Sequence, residues 1–525
     1  MSNISKTLTL EEIHNFKGKY PKQLWYLFLS EMWERFCFYG MRGMLTVFMI
    51  DTVYGLSMTE ETAQLRYGAI QAFIYAFTFA GGLFADKIIG FRKSLFWGGI
   101  MMITGSAILA LNPHDYFLIG ISFTVIGTGF FKPNISTMVG LLYRDGDNRR
   151  DAGFSVFYSG INIGALLGGA ICVYVGKHYS WNLAFGFAGI VMTISLLTFL
   201  FTQKRMGPIG LSPLLNNVPH EKELDIDGTA TAPVEQELVE IKIQKNKRWQ
   251  EYAVYVGSLL AIPLIYMMVE NTRYTDLFMY IVGPLALIYF FFEMTKHSWA
   301  EQKKLIAALL FIIFSILFWG IYEQAGGSLS IFALNNLDDD FMGILKMDPN
   351  SVNNAANALF VIIFAFVASF VWLALAKRKI EPNTVVKFGL GFLFLGAGFY
   401  VFYAMRFFAS EAGVSSLNIF ILAYLIVTLG ELCLSPIGLS IMTKLSPKSM
   451  QGMMMGFWFL ASAYGQYVAG LFGANLSKGN EGSSNFDKMM NYTAGYKQFA
   501  IYALIAGVIL ILISPWIRKL MQEVK

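Results

Sequence analysis

The chain has 525 residues, of which 55% are hydrophobic and only 14% are charged, and its mean hydropathy is +0.52. This composition excludes an ordinary soluble protein and indicates a polytopic membrane protein. The net charge of +5 would suit nucleic-acid binding, but the placement of the charges argues against that. The three cysteines, Cys37, Cys172 and Cys433, lie in apolar stretches without metal-binding or redox spacing, so they are interpreted as packing residues.

Fourteen apolar segments long enough to cross a bilayer follow one another along the chain. They cover about 24–50, 66–90, 94–112, 116–140, 152–176, 182–203, 251–270, 275–295, 303–335, 352–376, 384–408, 416–443, 449–475 and 496–517. The residues before the first segment are polar and contain several lysines, which is not the pattern of a cleavable signal peptide. The first segment is therefore predicted to be a span itself.

The lysine and arginine residues predict the orientation of the chain. With the N-terminus inside, 29 of the 40 basic residues fall in inside loops and tails, and eight fall in outside loops. The remaining three, Arg35, Arg42 and Lys132, lie within spans. The positive-inside rule therefore places both termini in the cytoplasm, and it accounts for the net positive charge without any nucleic acid.

A polar, acid-rich stretch divides the chain into six spans before it and eight after it. The first two of the eight carry charges only near their ends, which is typical of an appended hairpin. The predicted organisation is a first six-helix bundle with its N-terminal tail, a cytoplasmic linker, an inserted transmembrane hairpin and a second six-helix bundle. These units cover residues 1–205, 206–250, 251–300 and 301–525 respectively.

The first span contains four ionisable groups, Glu31, Glu34, Arg35 and Arg42. Each costs about 2.5–3.5 kcal/mol at the centre of a membrane helix, so a lipid-facing helix would not carry them. At helical spacing Glu31, Arg35 and Arg42 share one stripe with Phe38, and Glu34 lies beside it with Tyr39. Glu31 and Arg35 form an i, i+4 pair. Two carboxylates next to one arginine titrate as a coupled set, which favours reversible protonation over a purely structural ion cluster.

The motif in this span, E-x-x-E-R-F-x-[YF]-Y-G, resembles the signature of the proton-dependent oligopeptide transporter (POT) family. That family is a branch of the major facilitator superfamily. Its fold has two six-helix bundles, and many bacterial members carry two further helices between them. The resemblance implies a 6 + 2 + 6 arrangement and a bacterial source.

The end of the second span resembles the major facilitator loop motif, G-x-x-x-D-[RK]-x-x-G-x-[RK]-[RK]. Glycines permit a tight turn and close helix approach, and an acidic side chain can accept from a neighbouring helix end. The resemblance implies a latch that opens during gating. Its candidate residues are Gly82, Asp86, Lys87, Gly90 and Arg92.

Two further motifs carry polar groups inside the first bundle. Lys132 precedes Pro133 in the middle of the fourth span, where a lysine needs a counter-charge or a cavity. Asn162 lies in a stretch that resembles the family's F-Y-x-x-I-N-x-G signature, and its amide can both donate to and accept from a peptide group. An interhelical hydrogen bond remains an alternative role for Asn162.

Two acids lie in the second bundle, Glu323 in the ninth segment and Glu431 in the twelfth. The resemblance implies that Glu323 pairs with Arg42, and that protonation of Glu323 frees Arg42 and loosens an outer gate. Glu431 is the expected partner of Lys132 and of a peptide α-amino group. Basic groups on the first bundle and an acid on the second would polarise the cavity and match a zwitterion.

The remaining candidates for peptide contact are aromatic and amide residues that match cavity positions of the family. They are Tyr39, Tyr75, Trp319, Asn357 and Trp458. The chain departs from the family at Phe38, where many members have tyrosine, and at Ala358, where many have proline. No histidine lies within a predicted span, so protons must be carried by carboxylates.

The sequence therefore predicts an all-α membrane protein with the major facilitator fold and fourteen transmembrane helices, and a symporter that imports di- and tripeptides with protons. Proton coupling is assigned to Glu31, Glu34, Arg35, Arg42, Lys132, Glu323 and Glu431, and peptide binding to Arg35, Tyr39, Tyr75, Lys132, Asn162, Trp319, Asn357, Glu431 and Trp458. No cofactor, metal or nucleic acid is expected, and the protein is expected to work as a monomer in the bacterial cytoplasmic membrane. Another cargo, such as an amino acid, nitrate or a drug, is the alternative. No catalytic motif supports an enzyme.

Overall fold

The computed structural model describes residues 8–144, 146–213, 234–447 and 450–522, and these are almost entirely helical. The α helices are α1 Leu10–His14, α2 Lys22–Ile50, α3 Glu60–Phe84, α4 Phe91–Leu111, α5 Pro113–Gly140, α6 Arg149–His178, α7 Trp181–Thr202, α8 Val234–Glu270, α9 Thr272–Met294, α10 Trp299–Tyr322, α11 Ser328–Asn336, α12 Pro349–Lys377, α13 Thr384–Ala404, α14 Leu417–Leu445, α15 Gln451–Ser477 and α16 Asn485–Met521. Two short strands, β1 Asp340–Phe341 and β2 Leu345–Lys346, pair antiparallel in the loop before α12.

The predicted segments correspond to fourteen long helical units, with α10 and α11 forming one unit. Twelve units are long and apolar enough to cross a membrane by length and composition. The other two are α2, in which charged side chains interrupt every apolar window, and α15, which is rich in glycine, alanine and polar residues. Both helices belong to the interior of the bundle, which explains why hydropathy alone does not select them.

The helix ends follow local capping chemistry. Thr59 accepts from the backbone of Thr62 at the start of α3, and Ser298 forms a capping box with Glu301 at the start of α10. Asp348 caps α12 just before Pro349 at the first helical position. These caps satisfy backbone donors that would otherwise be unpaired at the helix ends.

The buried apolar side chains form two main cores. One core is built from α2 to α7 with a few side chains of α8, and the other is built from α10 to α16 with Phe290 of α9. We refer to these groups of helices as the first and second halves. The predicted domain boundaries stay a prediction, and part of the predicted linker, residues 214–233, lies outside the described residues. Helix α8 begins at Val234, within the predicted linker, in a stretch rich in helix-forming residues.

The α8–α9 hairpin contacts both halves. Glu251 of α8 pairs with Lys93 at 2.6 Å, and Ser258 accepts from the Trp97 indole at 2.9 Å, both in the first half. Asp276 of α9 accepts from Tyr467 of α15 at 2.6 Å, in the second half. The hairpin is therefore joined by polar contacts to both halves.

The helix that contains Glu323 is interrupted. Helix α10 ends at Tyr322, a 3₁₀ turn covers Glu323–Gly326, and α11 then begins at Ser328. The sequence predicts one continuous span here, because the stretch is mostly apolar and Gly326 and Gly327 are weak signals of a break. The break places Glu323 at a helix end inside the protein.

Two faces of the bundle are used below. The near face is the end at which α2 begins, and the far face is the end at which α2 finishes. Because successive long helices run antiparallel, α3 begins at the far face and ends at the near face. Gly68 of α3 and Gly470 of α15 meet on the side of the bundle toward the far face, where a Cβ on Gly68 would lie 2.6 Å from the Gly470 Cα. The two halves therefore pack backbone to backbone there.

Candidate functional site

The acidic pair on α2 surrounds one arginine. Arg35 Nε lies 2.7 Å from Glu31 Oε1 and 3.1 Å from Glu34 Oε2, and all three side chains are at most 3% exposed. Among the described residues, Glu31 Oε2 and both oxygens of Glu34 have no hydrogen-bond partner. Two buried carboxylates against one guanidinium leave an excess negative charge, which a proton can neutralise. The cluster can therefore hold a proton reversibly.

Lys132 lies between aromatic rings and not against an acid. Its Nζ is 4.2 Å from the centroid of the Tyr75 ring and 5.2 Å from that of Phe38. Within the described residues, no carboxylate is within ion-pair distance of Lys132. The ion pair between Lys132 and Glu431 that the sequence analysis expects is thus not formed in this structure. A cation held on two rings keeps its charge available for an anionic ligand.

Glu431 belongs to a separate polar cluster in the second half. Its Oε2 accepts from the Tyr322 hydroxyl at 2.6 Å and from Asn357 Nδ2 at 2.8 Å. Asn357 also contacts Tyr322 at 2.6 Å and Thr428 at 3.1 Å. These neutral donors satisfy the carboxylate in place of Lys132, and they leave its negative charge uncompensated by any cation in the cluster.

Arg42 and Glu323 form an ion pair that joins the two halves. Arg42 Nη2 contacts Glu323 Oε2, and Arg42 Nε donates to the Tyr67 hydroxyl of α3 at 2.8 Å. One turn further along α2, the Thr46 hydroxyl donates to the carbonyl of Gly326. The helix break therefore brings both the Glu323 carboxylate and the Gly326 carbonyl, which accepts from Thr46, against α2.

The other predicted contact residues have different surroundings. Tyr39 packs against Phe38, with the Arg42 guanidinium 5.9 Å from its ring centroid. Asn162 donates to the Tyr158 carbonyl of its own helix at 2.9 Å, and no bond from its amide to another helix is found among the described residues. Trp319 packs on Phe318 and Tyr322, and its indole nitrogen has no partner among the described residues. Trp458 is buried and packs closely on Gly438.

The predicted gating motif lies on the near face, at a turn of π-helix over Ala85–Ile89. Gly90 has φ of +79°, and a Cβ there would lie 2.5 Å from the backbone nitrogen of Ser212, so the turn requires glycine. Arg92 Nε donates to the Ile209 carbonyl at 2.7 Å, and its Nη2 donates to that of Gly207. The arginine therefore fastens the chain after α7 to this turn.

Two other members of the motif, Asp86 and Lys87, make no such contacts in the part of the chain that the structure describes. Asp86 and Lys87 are exposed, and the structure describes no hydrogen bond from either side chain. A Cβ on Gly82 would lie 3.6 Å from Pro133 Cβ of α5, which is ordinary packing distance. The latch expected at Asp86 is thus not engaged in this conformation.

Two ion pairs at the far face were not predicted. Lys177 of α6 contacts Asp348 Oδ2 at 2.5 Å and Asn350 at 2.9 Å, and Lys488 of α16 contacts Glu60 Oε1 at 2.7 Å. Tyr492 also donates to Glu60 at 2.7 Å. The sequence counts these lysines only as loop charges, and nothing in their spacing reveals partners more than 170 residues away.

The far face is thus closed by three layers of ion pairs between the halves, at Arg42–Glu323, Lys177–Asp348 and Glu60–Lys488. The ion pairs between the halves that are named above all lie toward this face. The far face is therefore the side on which ion pairs join the two halves.

Asp348 does not have the character of a proton switch. Burial raises the pKa of its carboxyl. The charge of Lys177 and the hydrogen bonds from Lys177 and Ser351 lower this pKa by a larger amount together, so the net pKa lies below the ordinary value. Because the pKa is lowered, the Lys177–Asp348 ion pair is fully present at any pH above the ordinary pKa of aspartate. The pair is lost only as the pH falls through the lowered pKa. Asp348 therefore remains ionised at neutral and mildly acidic pH.

We expect Asp348→Asn to change the rate of transport without changing its pH profile. The substitution removes the Lys177 pair at every pH between about 5 and 8, because Asp348 does not titrate there, and the contact of Asp348 with the half-exposed His178 ring at 3.5 Å is the weaker of the two. The measurement is initial uptake rate against external pH. Asp339→Asn is the matched control, since Asp339 pairs with Lys346 on the exposed surface of the same loop. A shift of the profile in Asp348→Asn would contradict this assignment.

Comparison with known proteins supports one family. The family model described as "POT family" matches residues 92–489. The chain is 35% identical to "Peptide transporter YePEPT" of Yersinia enterocolitica over 517 residues, with 96% of both proteins covered. It is 30% identical to "Di-/tripeptide transporter" of Lactococcus lactis subsp. cremoris, with both covered in full.

Solved structures agree with this result. The crystal structure of "peptide transporter POT in complex with sulfate" superposes with a TM-score of 0.78 at 32% identity, covering 98% of this chain and 99% of that one. A POT family transporter in complex with 5-aminolevulinic acid gives a TM-score of 0.78 at 29% identity, covering 97% of this chain and all of that one. The fold is thus a multi-pass helical transporter of the major facilitator type, as predicted.

The chain belongs to the POT family, and it is a transporter and not an enzyme. The predicted family membership and fold class are confirmed. The family model begins at Arg92, so it does not include the charged motif on α2, whereas the relatives align over nearly the whole chain.

Proposed function

We propose that this protein is a symporter that imports di- and tripeptides together with protons across the bacterial cytoplasmic membrane. The observation that carries the proposal is the separation of charge between the halves. The first half presents Lys132, which has no acid within ion-pair distance among the described residues, and the second half presents Glu431 without a basic partner. A peptide has one carboxylate and one ammonium group at a limited separation, so it complements this arrangement end to end.

In this proposal the peptide carboxylate binds Arg35 and Lys132, and the ammonium group binds Glu431. Main-chain groups of the peptide meet Asn357 and Asn162, while its side chains lie among aromatic residues including Tyr39, Tyr75, Trp319 and Trp458. Because these aromatic surfaces are not specific for one side-chain type, we expect broad selectivity for peptide sequence.

Protons act on two carboxylate sites. A proton entering from the far face neutralises Glu323 and weakens its pair with Arg42, which favours opening of that face. The cluster of Glu31, Glu34 and Arg35 can hold a proton deeper in the protein. The change of charge at these sites biases two arrangements of the halves, and release of peptide follows deprotonation on the other side.

The far face corresponds to the outside in this proposal, because the near-face loops and tails carry most of the lysine and arginine residues. A monomer suffices for the mechanism, since both binding and coupling residues come from one chain. The exposed Asp86 and Lys87 at the near face are then ready to engage when that face closes.

The test is uptake of labelled dialanine into proteoliposomes of purified protein, with and without an inward proton gradient. We expect accumulation that needs the gradient and that a protonophore collapses. Equilibration without accumulation would keep the peptide site and remove the proton coupling. No uptake of dialanine, and no competition by dialanine against amino acids, nitrate or drugs, would favour another cargo.

A further inference from the structure

Helix α3 carries a polar stripe along the boundary with α2. Tyr67, Gln71 and Tyr75 follow each other at intervals of four residues, so they share one face of the helix. Tyr67 accepts from Arg42, and the Tyr75 ring holds Lys132. The stripe therefore runs from the outer ion pair to the cation of the peptide site, with Gln71 between them.

Gln71 is the member of this stripe without a visible role. It is 1% exposed, and among the described residues neither its amide nitrogen nor its amide oxygen has a hydrogen-bond partner. It lines a small internal cavity together with Arg42, Phe38 and Thr124. A buried amide with both polar atoms unpaired is costly, so its presence beside a charged switch calls for a partner in another state of the protein.

Release of Arg42 creates the need for such a partner. In the closed far face Glu323 neutralises the guanidinium, but protonated Glu323 no longer does so. A buried guanidinium that loses its acceptor is strongly unfavourable, because its five N–H donors remain desolvated. The titratable groups that face this ion pair are, by element, Tyr39 on α2, Tyr67 and Tyr75 on α3, Lys132 on α5, Tyr322 on α10, and Tyr424 and Glu431 on α14.

We propose that Gln71 is a positioning residue that receives Arg42 when protonated Glu323 releases it. The Gln71 Oε1 atom accepts from the guanidinium, while Tyr67 keeps its contact with Arg42 Nε. Gln71 lies one turn from Tyr67 toward the centre of the membrane, so the move draws the positive charge of Arg42 from the second half toward the peptide site. This inference rests on the proposed proton coupling.

The inference is tested by the pH dependence of gradient-driven dialanine uptake in Gln71→Leu and Gln71→Met. Both variants keep the volume of the side chain and remove the acceptor. Arg42 then stays with ionised Glu323 more strongly, so protonation of Glu323 requires more acid. We expect the pH of half-maximal uptake to fall by about one unit, which is the size given by one hydrogen bond to a charged group. We expect both variants to retain peptide exchange at a fixed acidic pH, because exchange does not require net proton movement.

A matched control separates this role from ordinary packing. Gln466 on α15 is also a buried glutamine with an unpaired amide oxygen, and it belongs to the second half; its backbone carbonyl faces Gly68 of α3, but it is not a member of the stripe. Gln466→Leu is expected to leave the pH of half-maximal uptake unchanged. A lower rate with the wild-type pH profile in either Gln71 variant would overturn the inference and make Gln71 a packing residue. Absence of gradient-driven uptake in the wild type would instead refute the proposed function.

Discussion

Glu31→Gln is expected to abolish gradient-driven accumulation of dialanine while leaving peptide exchange measurable. Glu31 supplies the 2.7 Å contact to Arg35, and it is completely buried. Glutamine keeps the shape and can still accept from Arg35, but it cannot carry a proton. It also lowers the negative charge of the cluster by one, so that Glu34 alone balances Arg35 and no excess charge is left for a proton to neutralise.

The measurement compares two assays on the same proteoliposomes. Accumulation against a gradient requires net proton movement in each cycle, whereas exchange of internal for external peptide does not. The expected loss is at least tenfold in accumulation, corresponding to an unfavourable shift of about 1.4 kcal/mol or more in protonation. Glu381→Gln is the control, because Glu381 pairs with Lys387 near the protein surface. Intact accumulation in Glu31→Gln would remove the cluster from the coupling mechanism.

The fold was largely predictable from sequence because hydrophobic length and loop charge are local signals. Even α2, which fails a simple hydropathy criterion, is predicted as a span, because its hydrophobic run is long enough to cross a bilayer and its charges gather on and beside one helical stripe. The break at Glu323–Gly326 was not predicted. It depends on α2, whose Thr46 hydroxyl binds the carbonyl that the break exposes, and such a contact between distant segments leaves no periodic pattern.

The site was predictable where partners lie on one helix. The contact of Glu31 with Arg35 follows from i, i+4 spacing alone. The Arg42–Glu323 pair came only from the family resemblance. The expected Lys132–Glu431 pair is not formed, because Tyr322 and Asn357 satisfy the acid and two aromatic rings hold the lysine. Pairing across halves also depends on conformation, which no single sequence pattern encodes.

The far-face lysines illustrate a different limit. Lys177 and Lys488 have the appearance of ordinary loop charges, and the positive-inside count uses them as such. In the structure each is less than one quarter exposed and pairs with an acid of the opposite half. Partly buried pairs of this kind can fix a conformation more than they add stability, since desolvation offsets much of the attraction. Their contribution is therefore expected in the balance between open and closed states.

Glu323→Gln is expected to open the far face and to uncouple transport from protons. Removal of one partner leaves the Arg42 charge buried without compensation, which destabilises the closed arrangement by about 3–5 kcal/mol. The ratio of closed to open protein then falls by more than a hundredfold. Because glutamine resembles the protonated acid, the variant remains in the state that a proton would produce, and accumulation of dialanine is lost.

Opening can be measured at Thr46, which is fully buried between α2 and the helix break in the closed far face. In a Thr46→Cys background, a membrane-impermeant thiol reagent applied from the far face should react slowly, because position 46 is buried. The native cysteines Cys37, Cys172 and Cys433 are also buried, so they should add little background labelling. Addition of Glu323→Gln should accelerate labelling at least tenfold. Glu411→Gln, at an exposed position in the second half, should not.

The double variant Arg42→Gln/Glu323→Gln separates loss of the ion pair from loss of the proton site. Two neutral amides restore hydrogen bonding without a buried unpaired charge, so the far face should close again and labelling should slow. Accumulation should remain absent, because no carboxylate at this position can titrate. Fast labelling in the double variant would show that the gate is held by the charges themselves, and unchanged labelling in Glu323→Gln would mean that the ion pair does not hold the gate.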